Sequence, residues 1–193
     1  MQYLFPEFTK GEVIFIGEPI ANGNLNYNML FGEMHFLDNN QQVMALSDIK
    51  NVLMVNIDNR KFYPFFQNEF TEELLSTDYC SLRMRHKASV AEHGKKGAYG
   101  MTSATSSSKS LTSMNNVGLQ FNLNPEATLL VSMNYFFYLV GTNGKHKLIK
   151  NTKTFTKQFP KNKTQIETFV KENRIRFNNS DDLKALFSYC IHL

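Results

Sequence analysis

The sequence predicts an α+β protein: an antiparallel β-meander, open and curved or barrel-like, closed by short C-terminal helices. Three observations carry that expectation. Short alternations of apolar and polar residues, separated by turn residues, run through most of the chain before residue 150. Aromatic residues make up 13% of the chain, with 17 Phe, 8 Tyr and no Trp, and they favour strands and fill cores. Beyond residue 150 the apolar spacing changes to three and four, the period of a helix. A length of 193 residues suits a single domain whose core needs no metal or disulfide staple. It divides into mainly β regions at 1–87 and 119–150, an excursion at 88–118 and helices at 151–193.

Gly11 to Ile16 reads as the first strand, and Gly17-Glu18-Pro19 ends it, because Gly tolerates positive φ and Pro has no N–H for a ladder. Ile20 to Asn28 returns with Leu25 and Tyr27 on one face, Gly23 marks a bulge, and Leu30-Phe31-Gly32 turns the chain. Glu33 to Asp38 sets Met34 and Phe36 opposite His35 and Leu37; Asn39-Asn40 turns, and Gln41 to Leu46 comes back. Leu53, Val55 and Ile57 share a face, Asp58-Asn59-Arg60 turns, and Lys61 to Tyr63 returns before Pro64. Phe66 to Ser76 places Phe70, Leu74 and Leu75 near one stripe and Glu69, Glu72 and Glu73 on another, which predicts a short helix with a wet acidic face. Cys80 to Lys87 alternates Cys80, Leu82 and Met84 with Ser81, Arg83 and Arg85, as a half-buried strand does.

Ala88 to Gly118 differs in kind. Gly94-Lys95-Lys96-Gly97-Ala98-Tyr99-Gly100 leads into a Ser/Thr tract with little to bury, which predicts a long mobile excursion. Strands resume at Leu119 to Leu123, Thr128 to Met133 and Tyr135 to Val140; Gly141-Thr142-Asn143-Gly144 turns and Lys145 to Ile149 pairs back. Thr152 to Phe159 forms a helix stopped by Pro160. Thr164 caps a second, with Glu167 completing a capping box, and Ser180 caps a third whose inner face is Leu183, Leu186, Phe187 and Cys190.

The residues point away from catalysis. The sequence contains no Gly-x-Ser-x-Gly elbow and no His-Glu-x-x-His pair, and Gly94-Lys95-Lys96-Gly97 lacks the Lys-Ser/Thr ending and following helix of a phosphate loop. His86, Glu92 and His93 share neither a helical face nor alternate strand positions, so no metal and no cofactor is expected. Aromatics interleaved with cations in Arg83 to Lys87 and Tyr135 to Lys147 suit a nucleic-acid surface, but Tyr135 to Leu139 reads better as a central core strand, and the acidic first third repels phosphates. Up to Tyr79 carboxylates far outnumber Lys10, Lys50, Arg60 and Lys61, whereas Lys145 to Arg176 is strongly basic against Glu167 and Glu172 alone. Cys80 and Cys190 are too few for a disulfide framework and are expected to remain separate thiols. No apolar run is long enough for a membrane span.

Two regions resemble known proteins. Leu4-Phe5-Pro6-Glu7-Phe8-Thr9-Lys10-Gly11, Leu25-Asn26-Tyr27-Asn28-Met29-Leu30 and Gly32-Glu33-Met34 at the start are similar to uncharacterised, signal-bearing envelope proteins of anaerobic Gram-negative bacteria. So are Lys147-Leu148-Ile149-Lys150, Phe159-Pro160, Phe169-Val170-Lys171-Glu172-Asn173 and Asp182-Leu183 near the end. The resemblance implies a mature periplasmic or surface protein without its signal peptide, and brings no active site with it. The resulting expectation is a non-catalytic module that contacts another envelope protein through the excursion, with Lys95, Lys96, Tyr99 and Met101 as the binding residues, or through the basic C-terminal segment. The alternative is a small-ligand or lipid carrier with an apolar cavity inside a curved sheet.

Overall fold

The computed structural model describes residues 2–93 and 128–193. The strands are β1 (Thr9–Phe15), β2 (Ala21–Asn28), β3 (Glu33–Leu37), β4 (Val43–Ala45), β5 (Val52–Ile57), β6 (Arg60–Pro64), β7 (Phe70–Ser76), β8 (Cys80–His93), β9 (Thr128–Gly141) and β10 (His146–Ile149). Among the described residues three α-helices follow: α1 (Thr152–Thr156), α2 (Lys163–Glu172) and α3 (Ser180–Ile191). Among the described residues the strands form one antiparallel, open sheet in the order β10-β9-β8-β7-β6-β5-β1-β2-β3-β4. Two meanders, β1 to β4 and β5 to β10, therefore join where β5 returns to pair with β1.

Local chemistry explains the turns. Asp58 and Asn59 adopt φ of 47° and 62°, the left-handed pair that a two-residue hairpin between β5 and β6 requires. Between β3 and β4, Asp38 Oδ1 accepts from the N–H groups of Asn40 and Gln42, both at 2.8 Å. Asn26 turns its side chain away from the ladder, accepting from Phe5 N–H at 3.1 Å and donating to the carbonyls of Phe5 and Glu7, each at 3.0 Å. This pins the segment before β1 so that Phe5 folds into the core.

The sheet curls until the β2–β3 turn reaches β7 and β8. Phe70 N–H donates to Gly32 O and Ala88 N–H to Met29 O, both at 2.8 Å. The Tyr27 hydroxyl donates to the carbonyls of Phe70 at 3.1 Å and His86 at 3.3 Å. Tyr27, Met34, Val55, Ile57, Phe62 and Phe70 fill the space so enclosed. A carrier needs a hollow sheet, and this interior is occupied by side chains. Gly11 permits the close approach of β1 to β5, because a Cβ there would stand 2.5 Å from Asn56 O.

A second core lies between β7 to β10 and the helices, where Leu82, Met84, Phe137, Leu139 and Ile149 meet Phe155, Ile166, Leu183, Leu186, Phe187 and Cys190. Cys80 and Cys190 are both free thiols; burial, then the neighbouring Cys80, pushes the Cys190 thiol up to about 12, so it stays protonated and inert at neutral pH.

Several expectations need correction. Phe66 to Ser76 is not a helix: Phe70–Ser76 is strand β7, laddered on both sides by β6 and β8, and this pairing overrides the local helical spacing. Its Glu72 is buried, not wet. Strand β8 continues six residues past Lys87, to His93, which pairs with Thr128, so the first part of the expected excursion is ladder. Thr128 to Met133 and Tyr135 to Val140 are one strand. No bulge occurs at Gly23, which pairs in register with Gly11; the irregularity falls between Ile14 and Phe15. There Val52 takes the inward place expected of Leu53, which is exposed. The caps also shift. Asn179, one residue before Ser180, accepts from the N–H groups of Asp181 and Asp182, and Glu167 pairs with Lys163 instead of closing a capping box at Thr164. Helix α1 is capped by a box between Asn151 and Thr154 and ends at Thr156. The expected strand at 119–123 lies outside the described residues.

Candidate functional site: an arginine and aromatic sheet face

Consecutive residues of a strand point to opposite faces, and β8 uses both. Leu82, Met84 and His86 point into the protein, while Arg83, Arg85 and Lys87 stand on the other face.

Inside, His86 completes a network seated on three strands. Arg60, at the start of β6, forks onto Glu72 of β7, with Nε 2.7 Å from Oε1 and Nη2 2.6 Å from Oε2. His86 Nε2 lies 2.5 Å from Glu72 Oε2. An ionised carboxylate only accepts, so Nε2 carries the proton of that bond. Burial alone would raise the Glu72 pKa, but the hydrogen bonds from His86 and Arg60 and their charges outweigh it and hold the carboxyl at about 2. The Arg60 guanidinium also lies over the rings of Phe5 and Phe62, at 5.2 and 5.8 Å. A carboxylate held at such a pKa is a poor proton acceptor at neutral pH; the arrangement locks β6, β7 and β8 together.

On the outer face, each cation of β8 meets an aromatic ring or an acid. Arg83 lies 3.9 Å over the ring of Tyr63 and donates from Nε to Ser81 Oγ at 2.9 Å. Burial lowers its pKa, partly offset by Tyr63 and Glu73, and leaves it charged at neutral pH. Arg85 and Lys87 share Glu69, at 2.5 and 3.5 Å. The Arg85 guanidinium stands between Phe65, at 6.0 Å, and Phe136, at 5.8 Å. Phe65 in turn packs on Tyr138 at 5.2 Å and His146 at 4.7 Å. Burial, and then Arg83, lowers the His146 pKa, so that ring is neutral at pH 7. Gly32, at φ 77°, backs Glu69: a Cβ there would come within 3.1 Å of Glu69 Cγ. The result is a bed of arginine and aromatic groups from which Phe136 remains 38% exposed and, in the β6–β7 loop, Phe66 remains 66% exposed.

The residues expected to bind, Lys95, Lys96, Tyr99 and Met101, lie at 94–127, outside the described residues. Of the trio weighed as metal ligands, His86 belongs to the Glu72 network, and Glu92 and His93 continue strand β8. Among the described residues no group of three His, Cys, Asp or Glu is placed to hold a metal. Glu69 and Glu72 bind the cations named above, and Glu73 lies close enough to Tyr63 to add to the rise that burial causes in the pKa of its hydroxyl. The interleaving of Arg83 to Lys87 with aromatics was a visible signal of the outer face. Reading Tyr135 to Leu139 as wholly core concealed it: Phe137 and Leu139 are buried, but Tyr135 is 44% exposed at the sheet rim, and Phe136 faces outward beside Arg85.

The chain matches no protein family, and neither the curated proteins nor the solved structures contain one significantly similar to it.

Proposed function

We propose that the protein is a non-catalytic binding module of the bacterial cell envelope, which engages a protein partner through the outer face of β6 to β9. The observation that supports this most is the line Arg83, Arg85 and Lys87, with Glu69 and Glu73 as the acids beside it among the described residues, laid on Tyr63, Phe65 and Phe136. Arginine and aromatic side chains concentrate binding energy at protein interfaces because they offer large area at little entropic cost. The residual positive charge suits a partner presenting carboxylates among apolar groups. The envelope location rests on the resemblance of the two ends of the chain.

Phe66→Asp tests the reading, because Phe66, in the β6–β7 loop of this face, is 66% exposed and a substitution there is expected to change stability by only about 0.5 kcal/mol. The native host should hold the wild-type protein in its envelope fraction, in a native-gel species larger than the 22.3 kDa chain. The variant, with an unchanged melting curve, should run as free protein. A wild type found in the cytosol, or migrating identically to the variant, contradicts the proposal.

A further inference from the structure

Independently of the β8 face, we propose that the cleft between the β9–β10 turn and the segment after α1 binds a phosphate monoester carried on a small apolar body. The cleft has a volume of about 300 Å³, with Leu139 and Phe159 as apolar lining, Tyr79 at its edge, and Lys145, Lys147 and Gln158 as polar groups. That volume lies at the lower end of small-molecule sites, which start at about 300 Å³. Leu139 is buried and pairs in register with Lys147 across β9 and β10, so the strand places the ammonium and the apolar surface side by side. Asn143 Oδ1 accepts from the Lys145 N–H at 3.1 Å, which fixes the turn carrying that lysine.

The electrostatics favour an anion. Among the described residues no Asp or Glu lines this cleft; Glu73 and Asp78 line the neighbouring one, which shares Tyr79, Cys80, Gly141 and Thr142 with it. From Gly141 to Ile166 the chain carries Lys145, Lys147, Lys150, Lys153, Lys157, Lys161 and Lys163 and no acidic residue. Among the described residues only Lys163 of these is ion-paired, with Glu167 at 3.8 Å. Crowded ammonium groups without carboxylates repel one another, and a bound dianion relieves that repulsion. Lysine offers a compact charge with rotatable donors, and two such ammonium groups pair more strongly with a phosphate monoester, which carries close to two negative charges at neutral pH, than with a singly charged carboxylate. A free organic phosphate and the headgroup of a phosphatidic acid present the same dianion.

Calorimetry with phenyl phosphate and inorganic phosphate, and co-sedimentation with phosphatidylcholine vesicles with and without phosphatidic acid, test the site on the intact chain. Phenyl phosphate is expected to bind saturably and about tenfold more tightly than inorganic phosphate, a difference of about 1.4 kcal/mol. The Lys145→Gln, Lys147→Gln double variant should lose about tenfold or more of this affinity, while Lys171→Gln, which removes a charge on α2, keeps it. Sedimentation with phosphatidic acid vesicles that the double variant loses identifies a lipid headgroup as the source; phenyl phosphate binding without sedimentation identifies a soluble ester. Failure of both probes, or equal weakening by the double variant and by Lys171→Gln, overturns the proposal.

Discussion

Replacing Glu72 with alanine is expected to destabilise the protein by about 3–5 kcal/mol, the usual consequence of removing one partner from a buried ion pair. The loss comes mainly from what stays behind. Arg60 keeps a half-buried guanidinium and His86 a buried ring, with no carboxylate to receive either. Urea denaturation at pH 7 measures it. Replacing Arg60, Glu72 and His86 together with apolar residues of similar volume is expected to cost far less, because no charge is then left buried. The same network predicts acid sensitivity. Glu72 titrates at about 2 in the folded protein against 4.5 as an ordinary glutamate. A carboxyl with a depressed folded pKa contributes its stability above the unfolded value and loses it as pH falls toward the folded one. Between pH 4.5 and about 2 the wild type should therefore lose about 3 kcal/mol through this group, at 1.36 kcal/mol per pH unit. Glu72→Gln should be less stable at pH 7 and lack that part of the acid dependence. An unchanged pH profile in Glu72→Gln would assign the acid response to other groups.

Phe187→Ala is expected to cost about 3–5 kcal/mol, because it empties the centre of the second core. Phe187 is fully buried, with Leu183, Leu186, Phe155 and Phe137 in the same cluster, so the helices cover an apolar sheet face that water would otherwise reach. For a chain of this length each kcal/mol moves Tm by about 2–4 °C, so the variant should melt about 10 °C lower. Far-UV and near-UV circular dichroism should fall together in one transition. A variant whose helical signal melts first while the sheet keeps the wild-type Tm would show that the helices are appended to the sheet instead of completing it.

Much of this architecture is legible in residue order, because it rests on local rules. Asp58-Asn59 announces a hairpin through its tolerance of positive φ, and the spacing of Leu183, Leu186, Phe187 and Cys190 marks the inner face of α3. The meander follows from such turns. What is not legible depends on distant partners. The carboxylates Glu69, Glu72 and Glu73 have helical spacing, and only tertiary structure brings Arg60 and His86 to the middle one, allowing a strand to carry it inward. Alternation within β5 gives no sign that its partner is β1. The outer face was half visible: the cations of β8 alternate, but their aromatic neighbours come from β6, β9 and the β6–β7 loop, which lie far apart in the chain.

The claim that the protein acts by contact through this face is tested most directly by in-cell photo-crosslinking in the native host, with a benzophenone amino acid placed at Phe136 and, separately, at Lys171 on α2. The account predicts a discrete adduct with one other envelope protein from position 136 and none from position 171. Equal adducts from the two positions, or no adduct from position 136 in cells that express the protein at its native level, would contradict it.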